Sequence, residues 1–122
     1  MKYRKRSIDL GGSLWLEKSG HRFLDGERIN LLEKIDQVGS ITKAAKAVGI
    51  CYKTAWDRIN LINSLADKPL VERLTGGLGG GGTTLTLSGK RIIRQFRVAE
   101  EEHRKYLNNM GDHFADSEIL AG

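Results

Sequence analysis

Hydrophobic residues recur along this chain in blocks whose period shifts between two and three-to-four, and each shift marks an element. Leu14 and Leu16 alternate with Trp15 and Glu17 over residues 13 to 19, which predicts a short strand. Asp25 then opens a helix in which Ile29, Leu32, Ile35 and Val38 recur at three-residue steps, with Leu31 beside them and Gly39 as the stop. Ser40 or Thr42 can cap the next helix by offering a hydroxyl to its open N–H groups. There Ile41, Ala44, Ala45 and Val48 form one stripe at i, i+3, i+4 and i+7. Gly49 suits the left-handed conformation of a tight turn, and a third helix runs from Tyr52 to Ala66. Its one side carries Tyr52, Ala55, Ile59, Ile62 and Ala66, with Trp56 at the edge; Lys53, Thr54, Asp57, Asn60 and Ser64 lie opposite. Beyond Pro69, residues 70–75 and 83–87 alternate as two strands around residues 76–82, where six of seven positions are glycine. Ser88 can cap a last helix over 89–110, about 33 Å long.

A short helix, a glycine turn and a second helix with a polar outer face read as helix-turn-helix. Followed by a two-stranded hairpin, they make a winged helix. The fold class expected is therefore mainly α with a small β-hairpin wing and a long C-terminal helix. Lys53, Thr54, Asp57 and Arg58 on the outer face can address base edges or phosphates in a major groove. The alternative is a plain three-helix bundle with a polar solvent face. A phosphate-cradling Walker loop needs Gly-Lys-Ser/Thr leading into a helix, and a dinucleotide fingerprint also needs a helix after its glycines; here Thr83-Thr84 and a strand follow, so neither fits. A glycine-rich wing instead lets backbone approach a phosphate or the minor groove, with Arg73 and Thr75 at its base, unless it is merely a flexible tip. In the last helix Ile92, Phe96, Ala99, His103, Tyr106 and Met110 are spaced four and three apart, the spacing of a coiled-coil seam. This points to a second subunit, the alternative being packing within one domain through Ile92, Ile93 and Phe96.

Charge strengthens the nucleic-acid reading. Twenty Lys and Arg face fifteen Asp and Glu, a net +5. Three of the acids and none of the basic residues lie after residue 110, so the first 110 residues carry +8. Such a surface favours a polyanionic partner. With 122 residues the chain has the length of one domain. The expected organisation is a basic flexible segment over 1–12, the winged helix over 13–110 with its dimerisation helix at 88–110, and an acidic disordered tail over 111–122. No apolar run approaches the roughly 20 residues of a membrane span, and no secretory leader is visible, so a cytoplasmic protein is expected. One cysteine excludes an internal disulfide, and three scattered histidines give no metal cluster. Asp57, His21, His103 and Cys51 fall on separate elements without a nucleophile–base pairing, so no enzyme is expected.

The stretch Gly39-Ser-Ile-Thr-Lys-Ala-Ala-Lys-Ala-Val-Gly-Ile-Cys-Tyr-Lys-Thr-Ala-Trp-Asp-Arg-Ile-Asn60 resembles the DNA-binding domain of the molybdate-responsive ModE regulators. Residues 70–82 and Leu85-Thr-Leu-Ser-Gly89 are similar to that domain's wing and following turn, so the resemblance covers about residues 25–107. The Ser-Ile-Thr-Lys-Ala-Ala piece is shared with LysR-type regulators. The resemblance implies a winged helix that dimerises through its long terminal helices and binds palindromic operator DNA. It implies DNA contacts from Tyr52, Lys53, Thr54, Asp57 and Arg58 and, in the wing, from Arg73, Thr75 and the glycines of residues 76–82, among them Gly77, Gly79 and Gly80; Ser40, Thr42 and Lys43 at the start of the preceding helix and the basic Lys90 of the last helix are expected to contact DNA beside them. Ile92, Phe96, Ala99, His103, Tyr106 and Met110 would form the dimer seam. The oxyanion-binding domains that follow in full-length members do not fit into these 122 residues. No molybdate site, metal or other cofactor is therefore expected, and ligand sensing would fall to a separate partner. Cys51 stands where the family has a serine cap, which predicts a weaker cap by up to about 1 kcal/mol. The thiol is then either a buried structural group or, with a lowered pKa at a helix start, a redox switch. Two rival functions remain: a winged-helix module that binds proteins, and a small oxyanion sensor using the glycine loop or the seam.

Overall fold

A computed structural model describes residues 8–74 and 82–115. The elements in chain order are β1 (Leu16–Lys18), β2 (His21–Leu24), α1 (Gly26–Val38), α2 (Ile41–Val48), α3 (Tyr52–Leu65), β3 (Val71–Arg73), β4 (Thr83–Leu85) and α4 (Leu87–Ala115). Residues 15–95 make one compact unit; residues 8–14 with 96–115 belong to a second.

The alternation at Leu14–Glu17 holds, with Trp15 Nε1 donating to Glu17 Oε2 at 2.9 Å on the exposed face. The strand has a partner that the periodicity did not indicate. Ser19 and Gly20 both adopt positive φ (53° and 78°), a two-residue turn that folds β2 back antiparallel on β1, with Lys18 opposite His21. Phe23 and Leu24 are buried. Asp25 caps α1 by accepting from the Arg28 amide at 2.9 Å, and Arg28 Nη1 in turn donates to the carbonyls of Arg22 and Phe23. Ile29, Leu31, Leu32 and Ile35 fill the core, while Val38, expected on that stripe, is the last residue of α1 and 40 % exposed. Gly39 ends α1 at φ 69°.

The core continues through Ile41, Ala44 and Ala45 of α2 and Ala55, Ile59 and Ile62 of α3, all buried. The two alanines let the helices approach closely. Antiparallel β3 and β4 are paired Val71 to Leu85 and Arg73 to Thr83. The hairpin is anchored to the helices at two points. Asn63 of α3 accepts from the Leu70 and Val71 amides (2.9 and 3.3 Å) and donates to the Val71 carbonyl (2.9 Å). The Thr83 amide donates to the Gly39 carbonyl at 3.0 Å.

The start of α4 differs from the expected Ser88 cap. Thr86 is the capping residue: its Oγ1 accepts from the Gly89 amide at 3.0 Å and donates to the Pro69 carbonyl at 2.7 Å. Leu87, assigned to the preceding strand by alternation, is the first helical residue and 79 % exposed. A threonine hydroxyl that serves both the helix and the neighbouring loop outcompetes the serine two positions on. The helix also runs to Ala115, so residues 111–115 are helical and not part of a disordered tail. Residues 116–122 lie outside the described residues, as do 1–7 of the basic segment; residues 8–12 do not.

Candidate nucleic-acid interface

The first turns of α2 and α3 and the base of the wing share one surface. Ser40 Oγ accepts from the Lys43 amide at 3.1 Å, fixing the start of α2 and leaving Thr42 and Lys43 exposed. Gly49 ends α2 at φ 79°, and the Ile50 amide returns to the Ala45 carbonyl at 3.0 Å, setting the angle at which α3 departs. Tyr52, Lys53 and Asp57 of α3 are exposed and Thr54 and Arg58 half-buried, so all five expected positions reach the surface. Lys53 Nζ and Asp57 Oδ2 pair at 3.0 Å. The polar face of α3 therefore presents a cation and an anion together.

Cys51 precedes α3 with the extended backbone of a capping residue (φ −77°, ψ 160°) but makes no side-chain cap bond. It is exposed, not a buried structural thiol. Its Sγ lies 3.2 Å from Thr54 Oγ1. That hydroxyl is the main reason the thiol pKa is lowered from its usual value, with the Thr54 and Lys53 amides adding to it. Sulfur accepts too weakly to close the cap.

Arg73 is brought to the same surface from β3. Its guanidinium carbon lies 4.4 Å from the centroid of the Trp56 ring, and Tyr52 meets that ring edge-on at 6.1 Å and 76°. Between α2, α3 and the wing base lies a cleft of about 280 Å³, bordered by Ser40, Thr42, Tyr52, Trp56, Arg73 and Thr83 among others. Trp56 stands at the edge of the apolar stripe, and nothing in the local spacing ties it to a residue seventeen positions later. Asn63 likewise carries no local signal of its partners Leu70 and Val71. Lys90 is not brought to this cleft: it borders a separate hollow of about 300 Å³ with Glu33, Asp36, Gln37, Leu85 and Arg94. Thr75, Gly77, Gly79 and Gly80 lie outside the described residues.

The profile of bacterial regulatory helix-turn-helix proteins of the lysR family matches residues 27–90, which is the whole run from α1 through the wing into α4. The chain belongs to that family. Three relatives are similar to this lysR-family chain over most of its length. "Molybdenum transport protein ModE" of Azotobacter vinelandii is 44 % identical over 99 residues, 81 % of this chain and 36 % of that protein. "DNA-binding transcriptional dual regulator ModE" of Escherichia coli K12 is 46 % identical over 90 residues, 74 % of this chain and 34 % of that protein. "Molybdenum-pterin-binding protein MopA" of Rhodobacter capsulatus is 42 % identical over 88 residues, 72 % of this chain and 33 % of that protein. The chain thus spans about a third of the length of the curated relatives it matches.

Along α4 the expected seam is only partly open. Phe96 is 1 % exposed within the single chain, so it is an interior residue and not a contact for a partner. Ile92, Ala99, His103 and Met110 are half-buried and Tyr106 is 57 % exposed. His103 and Leu107 lie close to the chain's own Gly12: a methyl group added at Gly12 would come within 3.4 Å of Leu107 Cδ2 and 3.5 Å of the His103 ring. A leading segment that lies against the helix is invisible to a heptad count. Arg97–Glu100 at 2.5 Å, Arg104–Glu101 and Lys105–Glu102 at 3.4 Å pair along the helix and balance its acidic middle. Among the described residues no group of three or more His, Cys, Asp or Glu could hold a metal ion, and no helix is long and apolar enough to cross a membrane.

Proposed function

We propose that this chain is the DNA-binding portion of a cytoplasmic transcriptional regulator related to the ModE proteins, that it controls molybdate-linked genes, and that it grips a palindromic operator as a homodimer without a cofactor of its own. The observation that carries this reading is the convergence of three exposed elements on one face: Thr42 and Lys43 at the start of α2, the polar first turns of α3, and Arg73 at the wing base. In such an arrangement α3 enters the major groove, where Lys53, Thr54, Asp57 and Arg58 meet bases and phosphates. The Lys53–Asp57 pair opens on contact, the ammonium turning to a phosphate and the carboxylate free to accept from a cytosine amine. Two copies then place their α3 helices about 34 Å apart, one turn of duplex. The half-open α4 stripe with Tyr106 is the surface for the second copy. Names given to the relatives, among them "Molybdenum transport protein ModE", support the molybdate link.

The test is selection of bound sites from random duplex DNA with and without molybdate, followed by affinity against salt. The expected result is an enriched inverted repeat, with log affinity falling by about 0.9 per neutralised phosphate for each log unit of salt. Absence of an enriched repeat, or binding indifferent to salt, would overturn the reading.

A further inference from the structure

We propose that Trp56 is a positioning residue for DNA binding: its ring holds the Arg73 guanidinium at the mouth of the α2–α3–wing cleft, where it takes a phosphodiester group of the duplex. This rests on the DNA-binding reading above and names a device within it. Three observations converge. First, the backbone that carries Arg73 is fixed. Asn63 clamps Leu70 and Val71, and the Leu74 amide donates to the Gly82 carbonyl at 2.8 Å while Thr83 is tied to Gly39 at 3.0 Å. Second, the guanidinium lies 4.4 Å from the centroid of the Trp56 ring, and Tyr52 braces that ring edge-on. Third, Arg73 has no carboxylate partner among the described residues, although it is exposed beside a cleft bordered by the Thr42, Tyr52 and Thr83 side chains.

Stacking engages the face of a guanidinium and leaves its in-plane N–H groups free, the fork that matches a phosphate. A free arginine would lose its rotamer freedom on binding; one already laid on an indole loses less. Trp56 thereby acts through Arg73 and needs no DNA contact of its own. Replacing it with leucine keeps an apolar, though smaller, side chain and removes the aromatic face.

The test is a double-mutant cycle on the full chain with Trp56→Leu, Arg73→Gln and both together, with Trp56→Phe as the conservative variant. The DNA is the duplex recovered by selection with the wild-type chain. Trp56→Leu is expected to weaken binding about two- to fivefold, Trp56→Phe to restore much of that, and Arg73→Gln to make the salt slope shallower by about 0.9. In the Arg73→Gln background, Trp56→Leu is expected to cost nothing further. A readout without DNA accompanies it: in the free wild-type protein the Arg73 side-chain protons are shifted upfield in the NMR spectrum by the ring, and Trp56→Leu abolishes that shift. Unshifted Arg73 protons, or equal losses from Trp56→Leu in both backgrounds, would overturn the inference while leaving a DNA-binding wild type intact. A wild type that selects no duplex would overturn the functional reading itself, and this inference with it.

Discussion

Asn63 is the hinge pin between the helices and the wing, and its removal should be measurable in stability before any DNA is added. Its side chain holds three hydrogen bonds across the α3–β3 junction, two at 2.9 Å and one at 3.3 Å. The residues served, Leu70 and Val71, are each 4 % exposed, so their amides find little water once the amide group is gone. At about 1 kcal/mol for each bond lost, with the long one counting for less, Asn63→Ala should cost about 2–3 kcal/mol. The control is Asn60→Ala on the exposed side of the same helix, expected within about 0.5 kcal/mol of the parent. Urea unfolding followed by circular dichroism gives both values, and hydrogen exchange at Leu70 and Val71 should quicken in the Asn63 variant alone. If Asn63→Ala cost less than about 1 kcal/mol, or no more than Asn60→Ala, the junction would owe its geometry to apolar packing instead.

Three further outcomes are expected. Cys51→Ser supplies a hydroxyl at a position whose backbone already has capping geometry, so it should stabilise the fold by about 0.5–1 kcal/mol and raise the melting temperature by a few degrees; an unchanged melting point would count against the cap argument. Gly89→Ala places a methyl 2.3 Å from the Leu70 carbonyl oxygen, which is itself held by the Thr86 amide at 2.9 Å. That backbone cannot yield easily, so thermal unfolding should show a loss of about 1–3 kcal/mol despite the better helix propensity of alanine; equal or greater stability would refute it. The lowered thiol pKa of Cys51 means more thiolate at a given pH, mainly through Thr54. Thr54→Val should therefore move the pH profile of iodoacetamide alkylation upward and slow the reaction at neutral pH, and an unmoved profile would remove Thr54 as the cause.

How much of this was legible in the sequence depends on the range of the interaction. Asp25, Ser40, Gly39 and Gly49 act on backbone groups within four residues, and all four sit in the structure as the local pattern requires. The stripes of α2 and α3 were likewise readable, since burial repeats with the helical period. The β2 strand was missed because its four residues, His21 to Leu24, pair through a turn at Ser19–Gly20 and do not alternate. The Thr86 cap was missed because Pro69, the partner that favours it over Ser88, comes from seventeen positions earlier. Phe96 and His103 illustrate the same limit: a heptad count ranks both as seam residues, while burial in a single chain depends on which segments return to the helix.

By itself, then, the order of residues determined the helices, the caps of α1 and α2 and the winged-helix class, because those caps and the periodic stripes involve neighbours whose separation the covalent chain dictates. Only the tertiary structure decided that Arg73 lies on Trp56, that Asn63 clamps the wing and that Phe96 faces inward. The first two join residues seven to seventeen positions apart, beyond the reach of a cap or a helical turn, and their distances are set by how the helices and hairpins pack, a quantity that no local spacing carries.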